Sequence, residues 1–312
     1  MLRRLPLLVL LSLAADAQAQ LTGRGVVGVD VQKLVNGVLG VMSYTVAPDV
    51  TTSSLAINNS ATSTTTLGMT QFGGGFTWSK DAPLYVEGNA AYARYDPKFV
   101  ASDGTQTRVV PVKWNSVSGT GGIGWDFPIS EHWVVRPIFN FTLGWVASDV
   151  EVAKWWIDNN TDVDLSWLDG GKMKAYGLGG SLMFDYELFS PAHDDDLEIR
   201  YTNVELHNYG DSSVAVQGHA KAESASVYVR RRIPTGWGTF WNRPIRYVVE
   251  GAFTKFMGAE LDVGLDHMSS VGFGLELDTS EKNIWVTRAR AVVRYKFGPD
   301  LRGWALGLAV SF

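Results

Sequence analysis

Gly303-Trp-Ala-Leu-Gly-Leu-Ala-Val-Ser-Phe312 is the stretch whose reading decides the fold. Successive side chains of a strand point to opposite faces. Trp304, Leu306, Leu308, Val310 and Phe312 therefore share one face, and Gly303, Ala305, Gly307, Ala309 and Ser311 share the other. One face is wholly apolar and the other is very small. In water the large face would need a cover. Against lipid it is complete as it stands.

The same alternation recurs upstream. Val135, Pro137, Phe139, Phe141, Leu143 and Trp145 oppose Arg136, Asn140, Thr142 and Gly144. Leu178, Leu182, Phe184 and Tyr186 oppose Gly177, Gly179, Ser181, Asp185 and Glu187. Ala289, Ala291, Val293, Tyr295 and Phe297 oppose Arg288, Arg290, Arg294 and Lys296. Counted from Val41, the chain yields about twelve such segments, an even number suited to an antiparallel barrel. Met42 to Ile57 reads as the first, and Pro234 to Pro244 reads as a turn rich in Gly and Trp. Pro137 is out of place inside a paired strand, because it removes a ladder donor. Short connections alternate with mostly longer ones. Trp78, Trp125, Trp133 and Trp285 lie beside the short turns, and Trp145 and Trp304 lie toward the other strand ends. Two aromatic belts suit the two interfaces of a bilayer.

Composition agrees. The 312 residues are 46% hydrophobic and only 19% charged, yet carry 12 Trp, 11 Tyr, 14 Phe and 33 Gly. Many aromatics and glycines without a long apolar run fit strands that hide their apolar residues by alternation. A net charge of −5 gives no nucleic-acid signal. With no cysteine there is no disulfide framework, thiolate metal site or lipoprotein anchor. Arg3-Arg4, the apolar Leu5–Leu13 and Ala17-Gln18-Ala19 make an export leader over residues 1–19. Past it, no segment reaches the ~18 apolar residues of a spanning helix. Residues 20–40 read as a short leader or a helix, with Asp30 as cap and Val31, Leu34, Val35 and Val38 at helical spacing. Residues 41–312 read as the barrel, with membrane lipids as the surrounding partner.

The chemistry is concentrated on the inner face: Asp185, Glu187, Glu198, Arg200, Arg230, Arg232, Arg246, Glu250, Glu276, Arg288, Arg290, Arg294 and Lys296. Two readings follow. The set is a constriction that selects solutes, or a salt-bridged filling that holds a narrow lumen rigid. The mixed signs favour the filling. His207, Asp211, His219, Glu260, Asp266 and His267 lie near the outer strand ends and offer possible acid–base groups. No triad spacing, phosphate loop or zinc signature accompanies them, so no catalytic residue, metal or cofactor is assigned. Trp155, Trp156 and Trp167, among Asp158, Asp162, Asp164 and Asp169, form an acidic aromatic loop suited to binding a surface ligand.

Gly307, Val310 and the terminal Phe312 resemble the carboxyl-terminal recognition signal of Gram-negative outer-membrane barrels, although Ala305 and Leu306 stand where a polar residue is usual. The resemblance implies insertion by the barrel-assembly machinery. About twelve strands over residues 41–312 resemble the autotransporter translocator barrel. Only a short stretch precedes them, so the chain resembles such a barrel without a passenger. That resemblance implies a lumenal helix before the first strand, for which residues 28–40 are the candidate. A surface protease of the omptin type, with acids and histidine at the outer rim, is the remote catalytic alternative.

Overall fold

The computed structural model describes residues 9–13, 39–48, 54–58, 66–96, 98–102, 107–111, 114–148, 172–210, 219–240, 243–259, 266–278, 288–299 and 301–311. Strands β1 (Val9–Leu13) and β2 (Ser54–Asn58) are short. β3 (Thr66–Thr77) and β4 (Leu84–Asp96) follow, then a small hairpin of β5 (Lys98–Ser102) and β6 (Thr107–Pro111). β7 (Trp114–Trp125), the two-residue β8 (Phe127–Pro128) and β9 (Trp133–Ser148) come next. The second half holds β10 (Lys172–Phe189), β11 (Asp194–Tyr209), β12 (His219–Phe240), β13 (Arg243–Phe256), β14 (His267–Asp278), β15 (Arg288–Gly298) and β16 (Leu301–Ser311).

The main sheet contains 14 strands. Without β1 and β8, twelve remain, each antiparallel to its neighbour in chain order. This sheet is curled into a barrel. β4 and β11 are four steps apart in strand order, roughly 19 Å along the sheet. Yet Arg200 on β11 reaches Glu87 on β4 at 2.7 Å. Only a wall that bends round can bring them together. β1 lies at the seam. It pairs with β16 from Val9–Val310 to Leu13–Leu306, and meets β3 at Leu10–Gly73. Part of the stretch read as an export leader is thus a strand between the last and first walls. The cleavage motif and residues 28–38 lie outside the described residues.

Alternation sorts the side chains. On β14, Val271, Phe273 and Leu275 are exposed, while Met268, Ser270 and Glu276 are buried. On β15, Arg290, Val292, Arg294 and Lys296 are buried, and Val293 and Phe297 are exposed. A slip of one residue on β15 would send Arg290 and Arg294 into lipid, so register is strongly held. Some inner glycines are seats for neighbours. A Cβ on Gly75 would lie 2.0 Å from the Tyr85 hydroxyl, and one on Gly307 would lie 1.8 Å from Arg294 Nη1. The small face of the final strand is therefore where a long side chain of β15 lies down.

Outer aromatics pair across strands near both ends. Trp133 and Tyr186 rings are 5.1 Å apart, Trp237 and Tyr247 5.2 Å, and at the opposite end Tyr295 and Trp304 5.0 Å. Trp285 lies outside the described residues.

Three stretches differ from the sequence reading. Residues 39–43 are helical, and among the described residues of the expected first strand only 54–57 are β. Leu39 and Met42, one helical turn apart, are fully buried, and the Ser43 hydroxyl donates to the Gly40 carbonyl at 2.6 Å. The expected turn over 234–244 is mostly strand. β12 runs on to Phe240, with a register shift between Pro234 and Thr239. Gly236 and Gly238, at φ of 72° and 112°, absorb the extra residues. Finally, the ladder onto β9 breaks at Pro137. β7 pairs as far as Gly124–Ile138 and β8 resumes at Phe127–Val135. The missing donor falls in that gap.

Phe273 is 57% exposed at mid-strand. If lipid is its solvent, Phe273→Arg should cost about 2–4 kcal/mol in denaturant titrations of the vesicle-inserted protein. A cost near zero would mean this wall does not face the bilayer core.

Candidate functional site in the lumen

The lumen is organised around residues 39–48. Four contacts hold them. Thr45 Oγ1 and Ser118 Oγ are 2.8 Å apart, and Asn89 Nδ2 donates to the Thr45 carbonyl at 2.5 Å. Gln71 Nε2 donates to the Ala47 carbonyl at 3.2 Å. The Tyr44 ring meets Phe256 edge-on at 4.8 Å. These partners come from β3, β4, β7 and β13, so the segment touches distant parts of the wall. The inward amides of Gln71 and Asn89 suit this, because the segment's own carbonyls need donors once out of water.

Beside it lies the cross-lumen pair. Arg200 grips Glu87 with both terminal nitrogens, at 2.8 and 2.7 Å. Asn140 Nδ2 donates to Glu87 at 2.7 Å, and Ser181 accepts from Arg200 at 2.8 Å. A bidentate pair with its remaining valences filled is the arrangement that tolerates burial.

A second cluster stands at the ladder break. With β8 offset from β7, the buried Asp126 meets Arg136 through two hydrogen bonds, and Thr77 donates to it at 2.6 Å. Arg136 also pairs with Asp185 at 3.1 Å and stacks over the Tyr85 ring at 4.0 Å. Asp185 faces Glu198 across the strands, and Glu187 faces Asp196. Like charges directly opposite are unfavourable alone. Arg136 and Arg230 offset them.

The third cluster covers β11 to β16. Arg230 Nε donates to Asp196 at 3.0 Å. Arg232 lies among Asp194, Asp196 and Glu276 at 3.6, 3.3 and 3.4 Å. Arg246 bonds Asp194, and Arg294 bonds Glu250, which also accepts from Tyr228 at 2.9 Å. Arg290 stands 3.8 Å from Glu276. Lys296 is buried on the same wall, and the Arg288 guanidinium lies 6.0 Å from the Phe189 ring centroid.

The sequence reading did not assign Glu87, Asp126, Arg136, Asp194 or Asp196 to this network. Asp194 and Asp196 sit after Pro191 in an acidic run with the composition of a turn, yet β11 begins at Asp194. Their alternation with Asp195, which instead pairs with the outer Arg231 at 2.6 Å, was the available signal. For the others the partner is remote in sequence.

The rim histidines do not converge on a cleft. His207 and His219 are paired neighbours on β11 and β12. His207 stacks on Tyr176 at 5.5 Å, on the outer wall. His267 lies beside Asp266 at 2.8 Å and near Phe253. Lys255 donates to Asp266 at 2.9 Å and holds that carboxyl below its usual range. Among the described residues no group of His, Asp and Glu is placed to hold a metal ion. Asp211, Glu260, Phe312 and the Trp155, Trp156 and Trp167 loop lie outside the described residues.

Breaking one side of the cross-lumen pair should be costly. Arg200→Met or Glu87→Gln alone should destabilise the folded barrel by about 3–5 kcal/mol, and the double variant by far less than the sum. Denaturant titrations of the three variants check this. Additive losses would show that the two groups are not coupled.

Residues 14–151 match the family model described as the autotransporter beta-domain. A comparison with curated proteins finds no match. Among solved structures, the chain is similar to the beta domain of the Bordetella autotransporter BrkA, at 12% identity over 83% of this chain and 95% of that one, with a TM-score of 0.46. It is also similar to the transport unit of the autotransporter AIDA-I from Escherichia coli, at 11% identity over 89% and 97%, with a TM-score of 0.43. The translocator domain of the autotransporter NalP from Neisseria meningitidis gives 9% identity over 80% and 82%, with a TM-score of 0.41. The family match covers residues 14–151, and the twelve antiparallel strands form a wall similar to an autotransporter-like outer-membrane β-barrel.

Proposed function

We propose that the protein is a structural or transport-like outer-membrane barrel with a closed lumen. The carrying observation is residues 39–48, buried inside the wall and bonded to Gln71, Asn89 and Ser118. The salt-bridged clusters narrow what is left. A barrel of about twelve strands lies between small barrels filled by side chains and open porins. An inner segment together with long charged side chains moves it toward the filled kind. The outer-wall position of His207, His219 and His267 supports a non-catalytic reading, because acid–base chemistry needs groups gathered in a concave site.

In the same reading, residues 1–19 are removed on export. β16 then meets the first wall strands without β1 between them. Insertion by the barrel-assembly machinery would use Gly307, Val310 and Phe312. Gly307 then has two duties, since it also seats Arg294.

Planar-bilayer recordings test the closed lumen. The protein beginning at Gln20 should show small, infrequent conductance. Removal of residues 20–48 should produce a larger, ohmic one. A sizeable steady pore in the protein beginning at Gln20 would overturn the reading.

A further inference from the structure

The wall opposite Arg136 and Arg200 carries more guanidinium than carboxylate, and the surplus has a definite place. Arg230 has Asp196, Arg294 has Glu250, and Arg232 takes the nearer oxygen of Glu276. Arg290 has only the far oxygen of Glu276, at 3.8 Å, which is beyond hydrogen-bond range. Among the described residues none of its three nitrogens has a hydrogen-bond partner, although the residue is 5% exposed. Nearby donors are also unused. Nη1 and Nη2 of Arg294 and Nη1 of Arg230 are buried without a hydrogen-bond partner among the described residues. Arg230 and Arg294 both border Tyr228, for the Arg230 guanidinium lies 5.8 Å from its ring centroid and Glu250 accepts from both the Tyr228 hydroxyl and Arg294, and Arg290 stands on the same strand as Arg294.

A buried guanidinium keeps its charge, and leaving it uncompensated is expensive. Water would satisfy the N–H groups but not the charge. A small anion does both. Several oxygens on one centre match guanidinium donors arriving from several directions. We propose that Arg230, Arg290 and Arg294 form a lumenal binding site for one small anion, of the inorganic phosphate or carboxylate class. The site needs only the folded wall and stands apart from whether the lumen conducts.

The probe is inorganic phosphate, titrated onto the detergent-folded barrel in chloride-free buffer and followed by 31P line width. The wild type should broaden the signal saturably, as one site. Arg290→Gln should weaken binding about tenfold or more, the value of a charged hydrogen bond. Arg290→Lys should retain much of it. Arg231→Gln, on the outer wall beside Asp195, should leave it unchanged. Absence of saturable broadening in the wild type overturns the proposal whatever the variants do. So does equal affinity in a folded Arg290→Gln protein.

Discussion

The backbone hydrogen bond, with lipid as the solvent, is the constraint on which everything else rests. Hydrocarbon offers no partner for an N–H or a carbonyl, so a membrane-spanning sheet must pair every strand on both sides. Here twelve strands pair in chain order from β2 to β16, apart from the separate β5–β6 hairpin, and while residues 1–19 are present β1 lies between the last wall and the first. Once the ring is imposed, the period of two fixes the rest. Each strand gives one row of side chains to lipid and one to the inside. The outer row is cheap to fill with Val, Phe, Leu and Trp. The inner row must fill a limited space with groups that tolerate polar company.

That inner row is not uniform. The arc from β4 to β11 carries Glu87, Asp126, Asp185, Glu187 and Glu198, offset by Arg136 and Arg200. The arc from β12 to β15 is arginine-rich. Opposite charges meet at the boundary, where Asp194 and Asp196 on β11 face Arg232 and Arg230 on β12. Long side chains are accommodated by placing glycine diagonally from them on the neighbouring strand. Gly307 beneath Arg294 and Gly75 beneath Tyr85 are the clearest cases. The final strand thus has a small face because its neighbour needs the room.

Much of this was legible in the sequence. Alternation over Val271–Leu277, Arg288–Phe297 and Trp304–Ser311 marks which residues face which way, since a strand's period is a local property. What was hidden depends on contacts far apart in sequence. Residues 42–57 have an apolar rhythm compatible with a strand. Their first part is helical because Leu39 and Met42 find a buried environment that only the closed wall provides. Glu87 and Arg200 are separated by 113 residues, and nothing local to either announces the other. Asp126 and Arg136 meet through a ladder break at Pro137, which reads in the sequence only as an awkward proline. Asp194 and Asp196 were hidden by Pro191 and the acidic run, which carry the composition of a turn.

The protein has no cysteine, so each introduced one reports alone. The most direct measurement of the two-faced wall is a scan of single cysteines over residues 271–276, each carrying a fluorophore, in vesicles of brominated lipid. The account predicts strong quenching at 271, 273 and 275 and weak quenching at 272, 274 and 276. Quenching without a period of two, or with the opposite phase, would contradict it.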